Sequence, residues 1–264
     1  MTAIDGVVLD LDGTLVRGDR LAPGALDGWR RLESAGVEVL LFSNNPTRRR
    51  AEHVERLATL GIEVTEDQVL TSAIVTADFL ADERPDDPLF VVGSPVLRET
   101  LRDRGLSVTD DPDAATVVLG SFDREFHYDR LAESLWALEG ADAFLGTDPD
   151  RTVPTDGRPI PGSGAIVAAM AGVAEREPDA MLGKPSGIAR RAALERLGTD
   201  PARTLVVGDR LDTDVALAGD DMKSALVLTG VDGRDDVADA EYRPTHVLDS
   251  LADVGDALDD ATSL

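Results

Sequence analysis

Residues 7–15 read VVLDLDGTL, a short apolar run that ends on two carboxylates separated by one leucine. The run predicts a buried strand, and the glycine and threonine after it predict a turn. Where a strand ends, Asp10 and Asp12 can both face the crevice beyond the sheet edge. Carboxylates this close repel each other unless a cation lies between them, and Mg²⁺ binds carboxylate oxygens while leaving room for a phosphate. Taken alone, the motif also fits a strand-end turn in which an aspartate caps a helix.

Short apolar strands and amphipathic helices alternate along the rest of the chain. We predict further strands at 38–42, 64–70, 89–92, 116–119, 143–145, 204–207, 225–228 and 245–248, and helices at 25–35, 47–60, 72–80, 95–104, 128–138, 165–174, 186–197 and 250–258. This order is typical of parallel sheets covered by helices. The polar segment 82–88, DERPDDP, indicates a boundary, beyond which a second α/β series begins.

Length and composition restrict the class of protein. With 264 residues, 42% of them hydrophobic, the chain can form one large domain or two modest ones with a substantial core. The formal charge of −25 disfavours nucleic acid and anionic membranes as partners. Lys184 and Lys223 are the only lysines. Acid excess with few lysines suggests adaptation to high salt, where screening reduces self-repulsion.

Other features of the sequence exclude several kinds of site and location. The chain has no cysteine, so disulfides, thiolate metal sites and cysteine nucleophiles are excluded. We find no signal peptide and no apolar stretch near the roughly 20 residues of a membrane span, so we expect a soluble, cytoplasmic protein.

Polar clusters follow three of the predicted strands. Because the carboxyl ends of parallel strands meet at one sheet edge, we expect these clusters to converge there. They are Asp10 with Asp12, Ser43 with Asn44, and Asp209 with Asp214, and Lys184 precedes a helix that could reach the same crevice. Each cluster alone is compatible with a turn or a helix cap, and a single lysine with an exposed surface position. The ordered set carries the functional interpretation.

The chemistry of this set fits phosphoryl transfer. A carboxylate can attack phosphorus and form an aspartyl-phosphate, and a second carboxyl two residues on can protonate the leaving oxygen. A divalent ion, a lysine and a hydroxyl can neutralise the phosphoryl oxygens. No competing motif is present. The histidines (His53, His127 and His246) lack metal-ligand spacing, residues 183–185 lack a Walker context, and the glycines of 162–164 indicate a flexible turn at a helix start.

The motifs DLDGT, SNN, GKP and GDRLDTD, in this order, resemble those of haloacid dehalogenase (HAD) superfamily phosphatases. More narrowly, PGA, FSNNPT, TDPD, PGSGA and LVLTGV resemble the NagD/p-nitrophenylphosphatase-like group, subclass IIA. The resemblance implies an α/β fold with a Rossmann-like parallel-sheet core and an inserted α/β cap of the C2 type. We accordingly predict core residues at 1–79 and 182–264 and a cap at 80–181.

The resemblance also implies roles for individual residues. Asp10 would be the nucleophile and Asp12 the general acid/base, and Mg²⁺ would be held by the carboxylates of Asp10 and Asp209 and the main-chain carbonyl of Asp12. Asp214 would orient Lys184 or a metal-bound water. The expected substrate-binding residues are Gly13, Ser43, Asn44 and Lys184, and Lys184 would also be catalytic. Ser43 replaces the commoner threonine, and Asp148 stands where the group often has asparagine.

The leading hypothesis is therefore a Mg²⁺-dependent phosphatase acting on a small phosphorylated metabolite such as a sugar phosphate, phosphoglycolate or a nucleoside monophosphate. One alternative is a phosphoaspartate-based binding or regulatory protein similar to receiver domains, although these lack a second carboxylate at i+2 and a cap. Another is a phosphotransferase or mutase. Caps of this type often self-associate in the family, which is consistent with a homodimer.

Overall fold

The computed structural model describes residues 4–155 and 157–259. Within them the helices are α1 (Ala25–Ala35), α2 (Arg50–Thr59), α3 (Ser72–Glu83), α4 (Pro95–Asp103), α5 (Tyr128–Gly140), α6 (Ser163–Ala174), α7 (Gly187–Leu197), α8 (Ala216–Ala218) and α9 (Val254–Asp259). The strands are β1 (Gly6–Leu9), β2 (Val16–Arg17), β3 (Arg20–Leu21), β4 (Glu38–Ser43), β5 (Val69–Thr71), β6 (Leu89–Val92), β7 (Val108–Thr109), β8 (Val117–Gly120), β9 (Ala143–Gly146), β10 (Thr152–Val153), β11 (Ile160–Pro161), β12 (Ala180–Met181), β13 (Thr204–Gly208), β14 (Lys223–Val227) and β15 (His246–Leu248).

A six-stranded parallel sheet, the core sheet, contains the first strand near its centre. Its order is β15-β14-β13-β1-β4-β5, so β1 lies between β13 and β4. Val7 and Leu9 pack on one face with Trp29 of α1, whereas Val8 packs on the other face with Ala189 of α7. Helices therefore bury both faces of the strand, which explains why β1 is a continuous apolar run rather than an alternating one.

A second parallel sheet, the cap sheet, has five strands in the order β12-β9-β8-β6-β7. It is also covered on both faces: Phe90 packs with Met170 of α6, and its neighbour Val91 packs with Leu97 of α4. Two small antiparallel hairpins, β2–β3 and β10–β11, lie outside these sheets. The predicted fold class, a parallel α/β core with an α/β cap, is confirmed, whereas the residue limits of core and cap stay a prediction.

Local differences from the predicted elements have physical causes. Helix α2 begins at Arg50 rather than at 47, because the side chain of Asn45 accepts hydrogen bonds from Thr47 N (3.0 Å) and Thr47 Oγ1 (2.6 Å). This side-chain turn holds residues 45–47 outside the helix. The hairpins and strands β7 and β12 were not predicted, because two-residue strands are too short to show a period of two. In the described part of the chain, no helix has the length and apolarity needed to cross a membrane.

Candidate active site

The carboxyl ends of β1, β4 and β13 open into a cavity of about 700 Å³. The turn after β1, the loop after β4 and the loop after β13 all contribute to its walls, and the β10–β11 hairpin forms another wall. The predicted residues that line the cavity are Asp10, Asp12, Ser43, Asn44, Lys184, Asp209 and Asp214. Parallel pairing aligns the ends of the three strands, which brings together residues nearly 200 positions apart.

Lys184 lies at the centre of this group, with its side chain only 2% exposed. Its Nζ donates hydrogen bonds to Asp10 Oδ1 (2.7 Å), Asp214 Oδ1 (2.6 Å) and the carbonyl of Phe42 (2.8 Å). Burial by itself would lower the pKa of Lys184, but the two carboxylates outweigh burial and raise its pKa. The lysine is therefore a fixed positive charge whose three donated protons all have acceptors.

Asp10 is buried, and only one of its carboxylate oxygens is satisfied. Lys184 bonds to Oδ1, whereas Oδ2 has no hydrogen-bond partner among the residues that the structure describes. Burial raises the pKa of Asp10 well above its ordinary value; Lys184 opposes the shift, and Asp214 and Asp209 add to it. A buried carboxylate oxygen without a partner is costly, so this atom is available for a cation or a reacting group.

Asp10, Asp209 and Asp214 form a buried acidic cluster whose carboxylate oxygens lie within 4.8 Å of one another. Burial and the charge of Asp214 raise the pKa of Asp209 to about 7. When ionised, the three carboxylates carry three negative charges, of which Lys184 compensates one. The cluster and the free Asp10 oxygen therefore fit a hard divalent cation, which prefers oxygen ligands.

Gly13 packs against this cluster. Its φ of 109° is favourable only for glycine, and a Cβ at this position would lie 2.1 Å from Asp209 Oδ2. The carboxylate of Asp209 also accepts a hydrogen bond from Val231 N over 2.8 Å. Gly13 thus allows the turn after β1 to approach the loop after β13, and a contact with substrate stays a prediction.

Asp12 lies apart from the acidic cluster and is more accessible, with a side chain 30% exposed. Ser43 Oγ donates a hydrogen bond to Asp12 Oδ2 over 3.3 Å, and Arg56 Nη1 lies 3.7 Å from Asp12 Oδ1. The same guanidinium donates to the carbonyl of Gly18 in the turn between β2 and β3. The two aspartates of the DLD motif therefore occupy different surroundings, one against Lys184 and one against Arg56.

Asn44 holds the segment that carries the lysine. Lys184 N donates to Asn44 Oδ1 over 2.9 Å, and Asn44 Nδ2 donates back to the carbonyl of Lys184 over 3.1 Å. Asn44 Nδ2 also lies 3.5 Å from Asp150 Oδ1. Through these bonds the amide positions Lys184 and links the core to the segment before the β10–β11 hairpin.

Three residues of the site were absent from the predicted set. Arg56, Asp150 and Arg210 all line the cavity. The local sequence gives no signal for Arg56, which follows the usual pattern of an exposed helical position. Arg210 lies inside the GDRLDTD motif and Asp150 inside the TDPD motif, both of which supported the family resemblance. Those motifs were the available signal for the two residues.

Asp148 and the histidines also have defined places. Asp148 is 2% exposed, and burial together with the neighbouring Asp150 raises its pKa to about 8. Burial lowers the pKa of His53 to about 4, so this histidine is neutral, and His127 Nδ1 accepts a hydrogen bond from Arg130 N at the start of α5. The three histidines all belong to the described part of the chain, and none of them lines the cavity.

Family models and known proteins match most of the chain. The family model for haloacid dehalogenase-like hydrolases matches residues 7–107, and a HAD-hydrolase-like model matches residues 181–254. The 5'-nucleotidase YutF of Bacillus subtilis is 32% identical over 255 residues, which cover 96% of this chain and 98% of that protein.

Solved structures show the same relationship over nearly the whole chain. The p-nitrophenyl phosphatase from Archaeoglobus fulgidus superposes with a TM-score of 0.88 at 35% identity, covering 97% of this chain and 99% of its own. NagD from E. coli K-12 superposes with a TM-score of 0.84 at 30% identity, covering 95% and 98%.

Two parallel sheets with a buried carboxylate–lysine group at the strand ends, together with these matches, define the class: the chain belongs to the haloacid dehalogenase-like hydrolases. Within that superfamily it is similar to the NagD-like phosphatases, as its motifs predicted. The prediction of a phosphoric monoester hydrolase is confirmed at this level.

Proposed function

We propose that this enzyme hydrolyses small phosphomonoesters through an aspartyl-phosphate on Asp10, with Mg²⁺ as cofactor. The observation that carries the proposal is the placement of Asp10, which bonds to Lys184 through one oxygen and has no partner for the other. A nucleophile needs one free oxygen directed at the substrate, and a fixed cation beside it attracts the phosphoryl group.

In the first step, a carboxylate oxygen of Asp10 attacks phosphorus, and the bond between phosphorus and the leaving oxygen breaks. Asp12 donates its proton to that oxygen, which leaves as an alcohol. In the second step, Asp12 takes a proton from water as the water oxygen attacks phosphorus. The bond to Asp10 then breaks, which releases inorganic phosphate and restores both carboxyl groups.

The other residues bind and orient. Lys184 and Ser43 would hold the phosphoryl oxygens, and Asn44 keeps Lys184 in place through its two main-chain hydrogen bonds. Asp214 orients the ammonium of Lys184. Asp10, Asp209 and the main-chain carbonyl of Asp12 would hold Mg²⁺, which when bound neutralises charge on the transferring group.

The proposed substrates are small phosphorylated metabolites. A cavity of about 700 Å³ is large enough for a sugar phosphate or a nucleoside monophosphate. Two relatives, named as a 5'-nucleotidase and a p-nitrophenyl phosphatase, support this range. We propose no nucleic-acid or membrane partner, because the formal charge of −25 repels both. A cytoplasmic location and a homodimer are further parts of the proposal.

A phosphate-release assay on a panel of phosphomonoesters tests the proposal, with Mg²⁺ or EDTA in high-salt buffer. We expect Mg²⁺-dependent turnover of p-nitrophenyl phosphate and of at least one metabolite, and a phosphoenzyme that lasts seconds or less. Absence of turnover across the panel would contradict the proposal. A long-lived phosphoenzyme would indicate a regulatory protein instead, and transfer to a sugar hydroxyl rather than to water would indicate a phosphotransferase.

A further inference from the structure

The β10–β11 hairpin forms one wall of the cavity. Thr152, Val153, Pro154, Thr155 and Ile160 all line the cavity. With only one pair of two-residue strands, Thr152–Val153 and Ile160–Pro161, the hairpin has few hydrogen bonds of its own. Isolated hairpins are marginally stable in water, so contacts with neighbouring segments determine where this wall lies.

The base of the hairpin is fixed to the start of α6. Gly162 N donates to the carbonyl of Arg151 and Gly164 N to the carbonyl of Asp150, each over 2.9 Å. A Cβ on Gly162 would lie 2.3 Å from Asp150 O, so only glycine allows this approach. The glycines interpreted from sequence as a flexible turn therefore serve close packing.

Arg210 reaches the first strand of the hairpin from the core. Its Nη2 donates a hydrogen bond to the carbonyl of Thr152 over 2.9 Å, between residues 58 positions apart. Its main-chain N donates to Asp214 Oδ2 over 3.1 Å, and Arg210 directly follows Asp209. One residue thus contacts the acidic cluster through its backbone and the outer wall of the cavity through its guanidinium.

We propose that Arg210 is a positioning residue that fixes the β10–β11 hairpin over the cavity and so sets the preference of the enzyme for larger leaving groups. This inference rests on the proposed function. The phosphoryl group would lie at Asp10 and Lys184, and the leaving group would extend outward toward the hairpin. A leaving group of a few atoms does not reach the wall, whereas an aromatic ring or a sugar does.

The chemistry of the contact favours arginine at this position. A guanidinium presents several donors in a planar fork and stays charged, so it can bond to a carbonyl while remaining near the carboxylates of the site. Lysine retains the charge but has no fork, and glutamine retains a donor on a shorter chain. Both replacements therefore weaken the link to Thr152 without introducing bulk.

The test compares Arg210→Gln and Arg210→Lys with wild type and with a matched control, Arg158→Gln, an exposed arginine on the same hairpin that does not line the cavity. For p-nitrophenyl phosphate, we expect the loss of this charge-assisted bond to raise KM about tenfold and to change kcat by less than about threefold. For acetyl phosphate, whose leaving group is small, we expect a smaller rise in KM than for p-nitrophenyl phosphate in both Arg210 variants.

A second readout does not depend on activity. Trypsin can cut after Arg151, next to the carbonyl that Arg210 holds, and mass spectrometry of the folded protein follows this cut. We expect Arg210→Gln to be nicked there about fivefold faster than wild type, and Arg158→Gln to behave as wild type. If the melting temperature of Arg210→Gln is well below that of wild type, the kinetic comparison uses Arg210→Lys instead.

Equal effects on the two substrates, or nicking at the wild-type rate, would overturn the inference. The proposed function fails in a different way, through the absence of phosphatase activity in wild type. In that case the trypsin comparison still decides whether Arg210 anchors the hairpin.

Discussion

Lys184 Nζ donates a hydrogen bond to Asp214 Oδ1 over 2.6 Å, and each of the two side chains is only 2% exposed. The desolvation cost of so buried an ion pair offsets most of its Coulombic attraction, so the pair contributes little net stability compared with apolar residues. The ion pair instead fixes the positive charge of Lys184 next to Asp10, whose Oδ2 is free. Removing one partner, however, leaves uncompensated charge in the interior.

Lys184→Met tests that consequence directly. The variant leaves Asp10, Asp209 and Asp214 facing one another without a cation, so we expect the free energy of unfolding in EDTA to fall by about 3–5 kcal/mol. Phosphatase activity should fall below detection. Urea unfolding measures the first effect, and Lys223→Met, a half-buried lysine outside the cavity, is the control. A stable, active Lys184→Met protein would contradict the proposal that Lys184 compensates the charge of the acidic cluster and is needed for activity.

Asp10→Asn separates chemistry from folding. The amide keeps the shape of the carboxylate but cannot attack phosphorus, so we expect kcat to fall by at least about a thousandfold. The circular dichroism spectrum should be unchanged. Asp82→Asn makes the same chemical change at an exposed position and should retain full activity. Activity near wild type in Asp10→Asn would remove Asp10 from its proposed role.

Asp209→Asn tests the proposed metal site. In wild type, Mg²⁺ should raise the melting temperature because it binds the folded acidic cluster and not the unfolded chain. Asp209→Asn should abolish this increase, and without metal it should be at least as stable as wild type, because the amide removes the repulsion between Asp209 and Asp214. Differential scanning fluorimetry with EDTA and with Mg²⁺ measures both. An undiminished response to Mg²⁺ would place the ion elsewhere.

Parallel-sheet geometry made much of this site predictable. Strand β6 and helix α1 have the predicted limits, because their apolar patterns are bounded by clear turn signals. The convergence of Asp10, Ser43 and Asp209 follows from one rule, that parallel strands present their carboxyl ends at one edge. Lys184 was found from its rarity in the composition and from the family resemblance, since its own segment has no distinctive periodicity.

The site residues that the sequence analysis did not predict are those whose role depends on long-range contacts. Arg56 lies 38 positions from Gly18, and Arg210 lies 58 positions from Thr152. Neither contact leaves a local pattern, because an arginine on an exposed helical face and an arginine that binds a distant carbonyl look alike in sequence. The hydrophobic periodicity of the sequence can locate the ends of strands. It cannot identify which arginine side chain binds a distant segment beside those ends.

Asp148 gives a pH-dependent prediction. Burial raises its folded-state pKa to about 8, above the ordinary value of 3.8. The folded state thus retains a proton that the unfolded chain releases, so the contribution of Asp148 to stability falls as pH rises from about 4 to about 8. Asp148→Asn mimics the protonated carboxyl, so we expect its stability advantage over wild type to grow from on the order of 2 kcal/mol at pH 5 to on the order of 5 kcal/mol at pH 9.

Urea unfolding at the two pH values, in EDTA, measures this difference. Asp82→Asn, exposed on α3, should follow the wild-type pH dependence. A stability difference between Asp148→Asn and wild type that does not change with pH would show that the carboxyl is ionised throughout the range.

Salt dependence follows from the formal charge of −25, with 51 acidic and 26 basic residues. Self-repulsion of this surface destabilises the folded state, and the Debye length falls from about 10 Å at 0.1 M salt to about 3 Å at 1 M. We expect the melting temperature to rise by about 10 °C between these concentrations of KCl, which is a large change for a chain of this size. Sucrose, an osmolyte that carries no charge, is the control for effects other than screening. Full stability and activity in dilute buffer would contradict adaptation to high salt, because unscreened repulsion would then have no measurable cost.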